Sequence, residues 1–417
     1  MAEWQTVRLG EIVKTNQSTY SPKENWQFVN YLDTGNITMN KIDEIQYINT
    51  AKDKLPSRAR RKVKTNSIIY STVRPNQLHY GVIKEQPDNF LVSTGFTVID
   101  VNYDKAVPDF IYYALTKEEV TEQLQAIAEQ SVSAYPSLKP SDIENLEFML
   151  PDKKTQERIV AILRSIDEKI KENNAINNNL EQQAVLLFKK WFIEFDNSSK
   201  KMLETRFGLV PESFKLLKNG ELPLVVTDYV ANGSFASLKA NVTLYQEPNY
   251  AYFIRNTDLK SGTIEVFVDE HSYNFLSKST LYGGEIIISN VGDVGSVFLC
   301  PKLDKPMTLG NNIIMLRPEQ ENLRYYLYIW FKWLYGQSLI QGIKGGSAQP
   351  KFNKTDFKNL PIFLPPDDLL EQFHQIVKPM FELINENNTE NQALTRTRDT
   401  ILPRLMSGEL DVSDIEI

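Results

Sequence analysis

The sequence predicts an α+β fold: two globular α+β domains separated by two long helices packed as an antiparallel coiled coil, with a pseudo-twofold internal repeat. Three observations predict this fold. First, Ser133 to Glu194 recurs without a gap, 214 residues later, as Ser347 to Gly408. Second, both copies carry a long coiled-coil pattern. Third, the segments before them mix short strand-like runs with few regular βαβ units. The period far exceeds the roughly 20–50 residues of solenoids, so the repeated unit is a domain plus its own helix.

Composition indicates a globular, cytoplasmic protein. The 417 residues are 41% hydrophobic and 24% charged, and this length predicts about two to four domains. A single cysteine, Cys300, excludes an internal disulfide or a cysteine-based metal cluster and favours a reducing compartment. The start of the chain is too charged for a signal peptide, and the most apolar stretch, Leu323 to Tyr335, is interrupted by Arg324 and Lys332. We therefore expect no membrane partner.

The first domain is predicted to cover residues 1–151. Strands are expected at Ser67 to Val73 and Thr97 to Val101, and a helix near Asp109 to Gln125. A short apolar strand, Leu146 to Pro151, ends the domain, with Asp152 as a possible cap of the helix that follows.

The central helix region is predicted at residues 152–196. Marked positions recur in alternating steps of four and three, which is the seam of a coiled coil. They are Ile159, Leu163, Ile166, Ile170, Asn173, Asn177, Leu180, Ala184, Leu187 and Trp191. At 1.5 Å per residue such a helix is about 50 Å long.

The second domain, residues 197–366, repeats the pattern of the first. Strands are expected at Glu285 to Ile288, Ile313 to Leu316 and Leu360 to Pro365, and a helix near Asn322 to Gln337. Asp367 is a possible cap of the next helix.

The distal helix region, residues 367–417, repeats the seam at every position except Arg398. We expect this helix to be shorter or bent at Arg398 and broken by Pro403 and Gly408. The seam positions are Phe373, Val377, Met380, Ile384, Asn387, Asn391, Leu394, Arg398, Ile401 and Leu405.

Asparagines occupy the centre of both seams. In an antiparallel pair Asn173 faces the region of Asn391 and Asn177 that of Asn387, so four amides would meet in one layer and fix the register. The alternative is solvent-facing asparagine on two loosely packed helices. Replacing Asn173 and Asn387 with Ile is expected to raise thermal stability and loosen register or assembly.

Motifs for catalysis are missing from the sequence. The glycines of Gly292 to Gly295 and Gly345 to Ser347 fit neither GxxxxGK[ST] nor GxGxxG, and turns explain them better. No Asn-Pro-Pro-aromatic sequence, the usual adenine-clasping site of amino methyltransferases, is present. His374 is interpreted as a partly buried helix histidine. The chain is therefore predicted to be non-catalytic, with no catalytic, cofactor-binding or metal residues of its own.

Charge gives mixed indications about nucleic acid. A net charge of -7 argues against a simple nucleic-acid binder. One stretch is nevertheless strongly basic, and it could contact phosphate or form a solvated face. This basic run comprises Arg58, Arg60, Arg61, Lys62 and Lys64.

Two loops combine side chains suited to reading bases. After the strand at Ser67 to Val73 come Arg74, Asn76, Gln77, His79 and Tyr80. Arg suits guanine edges, Asn and Gln suit adenine edges, and Tyr can lie on sugar or base. The corresponding loop of the second copy carries Asn290 and Asp293 instead, and Lys344 and Ser347 complete the DNA-binding candidates. Different side chains on a shared loop suit two readers of different sequences; ordinary polar turns remain the alternative.

The chain resembles the specificity subunit of type I restriction-modification systems over essentially its whole length. The helix motifs that carry this resemblance are Gln156-Glu-Arg-Ile159, Ile166-Asp167 and Leu187-Phe-Lys-Lys-Trp-Phe192. The tail Leu402-Pro-Arg-Leu-Met-Ser-Gly408 is similar too, and Phe207-Gly-Leu-Val-Pro211 resembles the opening of a second target-recognition domain.

The resemblance implies a non-catalytic reader of double-stranded DNA. Two target-recognition domains would each read half of a split asymmetric site, with the paired helices setting the spacer and docking two modification (methyltransferase) subunits. Those partners would carry S-adenosylmethionine, and restriction (motor-nuclease) subunits would use ATP and Mg. Two alternatives stay open: a helical scaffold without base-specific binding, and a fused DNA-modifying enzyme.

Overall fold

The computed structural model describes residues 4–130, 137–194, 201–205, 208–346 and 349–415. The fold is mixed α+β, as predicted, with two compact units. The first unit comprises Met1–Lys171 with Asn391–Ile417, and the second Glu172–Glu390. Each long helix therefore contributes to both units. The division into four segments at residues 151, 196 and 366 stays a prediction.

The first unit contains two four-stranded sheets, ordered β6-β3-β10-β7 and β2-β11-β8-β9, and two smaller pairs, β1-β12 and β4-β5. Strands β3 and β10 are parallel. The strands are β1 Gln5–Arg8, β2 Val13–Thr15, β3 Phe28–Leu32, β4 Ile37–Thr38, β5 Lys41–Ile42, β6 Gln46–Asn49, β7 Ala59–Arg61, β8 Ile68–Ser71, β9 Tyr80–Val82, β10 Phe90–Ser93, β11 Phe96–Val101 and β12 Glu147–Leu150. The helices are α1 Pro108–Leu115, α2 Glu118–Glu129, α3 Pro140–Glu144 and α4 Lys153–Phe192, the last continuing into the second unit.

The second unit repeats this topology. The sheet β16-β24-β21-β22 has the order of β2-β11-β8-β9, and the sheet β17-β19-β18-β23-β20 again contains one parallel pair, β18 with β23. Its strands are β13 Met202–Thr205, β14 Gly208–Pro211, β15 Lys215–Lys218, β16 Leu224–Asp228, β17 Leu244–Tyr245, β18 Ala251–Ile254, β19 Phe267–Val268, β20 Thr280–Leu281, β21 Ile286–Ser289, β22 Val297–Leu299, β23 Met307–Leu309, β24 Ile313–Pro318 and β25 Pro361–Leu364. Its helices are α5 Phe235–Asn241, α6 Asn256–Ser261, α7 Glu270–Phe275, α8 Leu323–Lys332, α9 Leu334–Gly342, α10 Lys354–Lys358 and α11 Asp367–Met406, whose last part belongs to the first unit.

The predicted strands are found because each is a run of apolar residues that the sheets bury completely. Ile68 and Ile69 in β8, and Ile286 to Ile288 in β21, are no more than 1% exposed. The two strands that precede the long helices, β12 and β25, pair antiparallel with β1 and β15. In both units an equivalent strand therefore precedes the long helix.

The single helix predicted in each domain is instead two helices. In the first unit α1 and α2 are separated at Thr116 and Lys117, and in the second unit α8 and α9 are separated at Trp333. Trp333 is extended, with φ -96 and ψ 169, so the helix cannot continue through it. Gln337 secures this break, since its side-chain amide donates to the carbonyl oxygen of Phe331.

The two long helices have 40 residues each and are about 60 Å long, longer than expected. Asp152 caps α4 as predicted, because its carboxylate accepts from the backbone N–H of Thr155 at 3.0 Å. Asp367 is the first residue of α11 and not its cap.

Pro403 does not break the second helix, contrary to expectation. Pro403 and the residue four positions earlier, Asp399, are both exposed, so water can replace the hydrogen bond that proline removes. The helix ends at Met406, just before Gly408, which has φ +76. A Cβ at Gly408 would lie 2.7 Å from the indole nitrogen of Trp4, so any larger residue requires Trp4 to move.

Within each unit the long helices pack antiparallel, as predicted. In the first unit Ile159, Leu163 and Leu405 share one core, and in the second unit Ala184 and Phe373 share another. No helix within the described ranges is long and apolar enough to cross a membrane.

The seam of the second unit is polar near its end. Asn387 donates from Nδ2 to Asn177 Oδ1 at 2.8 Å, and Asn177 donates to Asn388 Oδ1 at 3.0 Å. Asn173 donates to the Glu390 carboxylate at 2.7 Å. Asn173 and Asn387 thus have different partners, so replacing both with Ile would remove two separate hydrogen bonds and is not expected to raise stability, contrary to the expectation from the sequence. The role of the amides in register stays a prediction.

Breaking this amide pair on one side should be costly. Asn177→Ile leaves the nearly buried amide of Asn387 without its acceptor, so we expect a loss of about 1–3 kcal/mol of unfolding free energy. The double variant Asn177→Ile with Asn387→Ile should return to wild-type stability or above. Denaturant unfolding of the wild type, of Asn177→Ile, of Asn387→Ile and of the double variant measures this cycle. Additive losses of unfolding free energy in the double variant would contradict the pairing.

The helix continues without interruption through Arg398, contrary to the expected shortening, and Arg398 forms an ion pair within the first unit. Its Nη1 lies 2.9 Å from Asp167 Oδ1, and Asp167 Oδ2 accepts from the Tyr113 hydroxyl at 2.6 Å. Burial alone would lower the pKa of Arg398, but the carboxylates of Asp167 and Asp399 raise it above its ordinary value. The seam position is therefore compatible with arginine because α4 supplies a carboxylate opposite it.

We expect Arg398→Met to cost about 2 kcal/mol of unfolding free energy. Removing one partner of a fully buried pair costs about 3–5 kcal/mol, and the partial exposure of Asp167 reduces that loss. Arg396→Met, on an exposed position of the same helix, is the matched control and should change stability by less than about 0.5 kcal/mol. Equal stabilities of the two variants, measured by chemical denaturation, would show that the ion pair contributes nothing.

Candidate nucleic-acid interface

The two candidate loops occupy equivalent places in the two units. Each follows the third strand of its four-stranded sheet, β8 in the first unit and β21 in the second. Each loop is joined by an isolated β-bridge to the segment before a short helix, Val73 to Ser137 before α3 and Val291 to Lys351 before α10. Because loops held by a rigid scaffold commonly carry binding residues, these loops remain the leading candidates.

The first loop presents most of its predicted side chains to solvent. Arg74, Asn76 and Gln77 are exposed, and Arg74 has a left-handed backbone, φ 48, that turns the chain sharply. The Asn76 backbone N–H donates to Gln125 Oε1 of α2 at 3.2 Å, which anchors the loop. Side chains on a fixed loop are suited to reading base edges.

His79 is half-buried and held by one ring nitrogen. Its Nδ1 lies 2.6 Å from the Ile37 carbonyl oxygen and 3.3 Å from Thr38 Oγ1. A carbonyl oxygen can only accept, so Nδ1 carries the proton and donates to it. In the neutral imidazole Nε2 is then an acceptor, which leaves it able to bind an amino group.

Tyr80 cannot serve as predicted. It is only 5% exposed and its ring stacks on Tyr70 with centroids 5.6 Å apart. Burial raises the pKa of Tyr80 to about 12. Tyr80 begins strand β9, where its side chain turns into the core, so the ring is not accessible to a sugar or base.

The basic run lies around β7, at the edge of its sheet, and its members differ in availability. Arg58 is exposed, and its carbonyl oxygen accepts from the backbone N–H of Thr94. Gly95, the next residue, accepts from the backbone N–H of Thr72 at the start of the first loop. Arg58 therefore lies close to that loop. Arg60 and Arg61 are half-buried in the strand.

The lysines of the run already have carboxylate partners. Lys62 pairs with Glu24 and lies 5.1 Å from the Trp26 ring centroid. Lys64 lies 3.7 Å from Asp100. Phosphate contact by either lysine would have to compete with these carboxylates, so Arg58 is the most available cation of the run.

The second loop presents Asp293 and uses Asn290 for its own structure. Asn290 is half-buried, and its backbone and amide bond to Asn312 and Phe352. Asp293 is exposed, and the hydrogen bonds that it accepts from Lys260 and Ser296 lower its pKa, so it is ionised at neutral pH. Lys344 is exposed in the neighbouring segment, whereas Ser347 lies outside the described residues.

Two residues that the sequence did not indicate lie beside the second candidate loop. Asn256 and Lys260 lie on α6, which follows the parallel strand β18, and both contact Asp293. More than 30 residues separate them from Asp293 in the chain, so only the sheet arrangement brings them together. Within the described ranges no group of three or more His, Cys, Asp or Glu is placed to hold a metal ion.

Comparisons with known proteins agree on one family. A family described as "Type I restriction modification DNA specificity domain" matches residues 1–182 and 228–396. The type I restriction enzyme HindI specificity subunit of Haemophilus influenzae is 27% identical and covers 98% of this chain and 100% of that protein. The MjaIX specificity subunit of Methanocaldococcus jannaschii is 26% identical over 75% of this chain and 71% of that protein. In fold, the chain is similar to the crystal structure of a type I S subunit from M. genitalium, with a TM-score of 0.56, 16% identity and 97% and 96% coverage.

Proposed function

The chain belongs to the family of type I restriction-modification DNA specificity subunits, and on that premise we propose that it reads a bipartite, asymmetric DNA site with two recognition domains. One half of the site contacts the first loop, Arg74 to His79, and the other half contacts the second loop, Asn290 to Asp293. The observation that carries this proposal is the pair of equivalent loops with different exposed side chains. Loops in equivalent places that carry different side chains recognise different bases in the two half-sites.

The helices α4 and α11 have two functions in this proposal. They determine how many unread base pairs separate the two half-sites, and they dock two modification subunits. Linking two modest binders also raises affinity, because engagement of one half-site raises the effective concentration of the other reader. The acidic net charge fits an assembly in which partner subunits supply part of the contact with phosphate.

The chemistry is assigned to the partners and not to this chain. Modification subunits hold S-adenosylmethionine and transfer the methyl group to adenine, while restriction subunits use ATP and Mg for translocation and cleavage. This chain supplies sequence recognition and assembly, in the cytoplasm.

A selection experiment tests the proposal. The chain, purified in complex with modification subunits, should select one split sequence from a pool of random DNA duplexes. The chain alone should transfer no methyl group from S-adenosylmethionine to any duplex. Selection of no sequence by a correctly assembled complex would favour the scaffold alternative, and methyl transfer by the lone chain would favour the fused enzyme.

A further inference from the structure

The Asp293 carboxylate is held asymmetrically. Oδ2 accepts three hydrogen bonds, from Lys260 Nζ at 2.8 Å, Ser296 Oγ at 2.6 Å and Asn256 Nδ2 at 3.4 Å. In the described part of the chain Oδ1 has no hydrogen-bond partner. Because the donors converge on one oxygen, they fix the rotamer and leave the other oxygen able to accept.

The loop that carries Asp293 is fixed at both ends. Gly292 donates its backbone N–H to the Pro350 carbonyl oxygen at 2.9 Å, and Gly295 donates to that of Ser289 at 2.9 Å. Gly295 has φ +98, and a Cβ there would lie 2.9 Å from Gln337 Oε1, so glycine is required. Val294 packs towards the core while Asp293 faces solvent. The carboxylate is therefore presented on a rigid support.

Stability does not account for this arrangement. The side chains of Lys260 and Asp293 are 53% and 43% exposed, and ion pairs this exposed contribute little to folding. A bare carboxylate on a surface that meets DNA would also be repelled by phosphate. The positive charge of Lys260 neutralises the carboxylate, so the Lys260–Asp293 pair has no net charge while Oδ1 remains oriented to accept a hydrogen bond.

The counterpart in the first unit has the same design. His79 is anchored at Nδ1 by the segment after the parallel strand β3, as Asp293 is anchored at Oδ2 by the helix after the parallel strand β18. In each unit one atom of the side chain is bonded to the scaffold and a second acceptor atom remains for a ligand.

We propose that Asp293 Oδ1 is a base-reading acceptor, which takes a hydrogen bond from the exocyclic amino group of cytosine or adenine in the major groove. This inference rests on the proposed function and adds a base class to one half-site. An ionised carboxylate has no donor, so at this position it selects the amino bases and repels the keto oxygens of guanine and thymine. The expected discrimination is about 5- to 150-fold.

Methyl transfer by the complex of this chain with its modification subunits tests the inference. Rates are measured on duplexes that carry each of the four bases at each position of the recognised sequence. Asp293→Asn, whose amide can both donate and accept, should reduce the amino-over-keto preference about 5- to 150-fold at one position of one half-site. Asp293→Ala should do the same, and both variants should leave the other half-site unchanged.

The control is Glu212→Gln, because Glu212 is another exposed carboxylate of the second unit, paired with Lys201 at 3.1 Å. Glu212→Gln should leave the base preference at every position of the recognised sequence unchanged. Wild-type preferences in both folded Asp293 variants would overturn the inference, as would an equal loss of rate on every duplex, which indicates a merely structural role. Absence of any recognised sequence for the wild-type complex would instead refute the proposed function.

Discussion

Exchanging residues 1–151 for the first domain of another family member will change one half of the recognised sequence and leave the other half unaltered. The reason is that the loop Arg74 to His79 and its supports, including α2 and strand β8, all lie inside the exchanged segment. The loop at Asp293 is supported by α6 and by Lys351, which stay in place. Methylation mapping of cells that carry the hybrid measures both halves at once.

The reciprocal exchange of residues 197–366 is the control for this experiment. This reciprocal exchange should change the half of the recognised sequence that the first exchange left unaltered. Both halves changing with a single exchange, in a hybrid that assembles normally, would contradict the assignment of one half-site to each domain.

Lengthening both long helices by one heptad will lengthen the unread spacer by about three base pairs. Seven helical residues add about 10 Å, and one base pair rises about 3.4 Å along DNA. The insertions belong after Lys171 and after Glu390, at the boundaries between the units, where they extend both seams together. The measurement is the methylated sequence, whose half-sites should remain the same while their separation grows.

A two-residue insertion at the same two places is the control. Two residues rotate a helix by about 200°, which turns the apolar seam to the side of the helix away from its partner, so the variant should lose stability and methylation together. An unchanged spacer in a folded heptad variant would show that the helices do not determine the separation of the half-sites.

The elements that the sequence predicted correctly are those with a strong local pattern. The buried isoleucines of β8 and β21 identify strands, and the seam from Ile159 to Trp191 identifies a helix, because neither pattern depends on distant residues. The prediction that the second helix is shortened at Arg398 was wrong, because the carboxylate of Asp167, which pairs with Arg398, lies on the other helix.

The candidate site was predictable only where it lies on one loop. Arg74, Asn76 and Asp293 were chosen from their position after a strand, and the structure shows that they are exposed, while their contact with DNA stays a prediction. The prediction that Tyr80 contacts DNA was wrong, because strand β9 begins at this residue and directs its ring into the core, where it stacks on Tyr70. Asn256 and Lys260 were missed because only sheet topology places α6 beside the second loop.

The most direct test of the central claim is single-molecule methylation mapping of DNA from cells that carry this gene with its modification gene, compared with cells that lack only this gene. A reader with two half-sites predicts N6-methyladenine in one split, asymmetric sequence that disappears without this chain. If the modification subunit is expressed and bound to this chain but no new methylated sequence appears, the chain is not the specificity determinant.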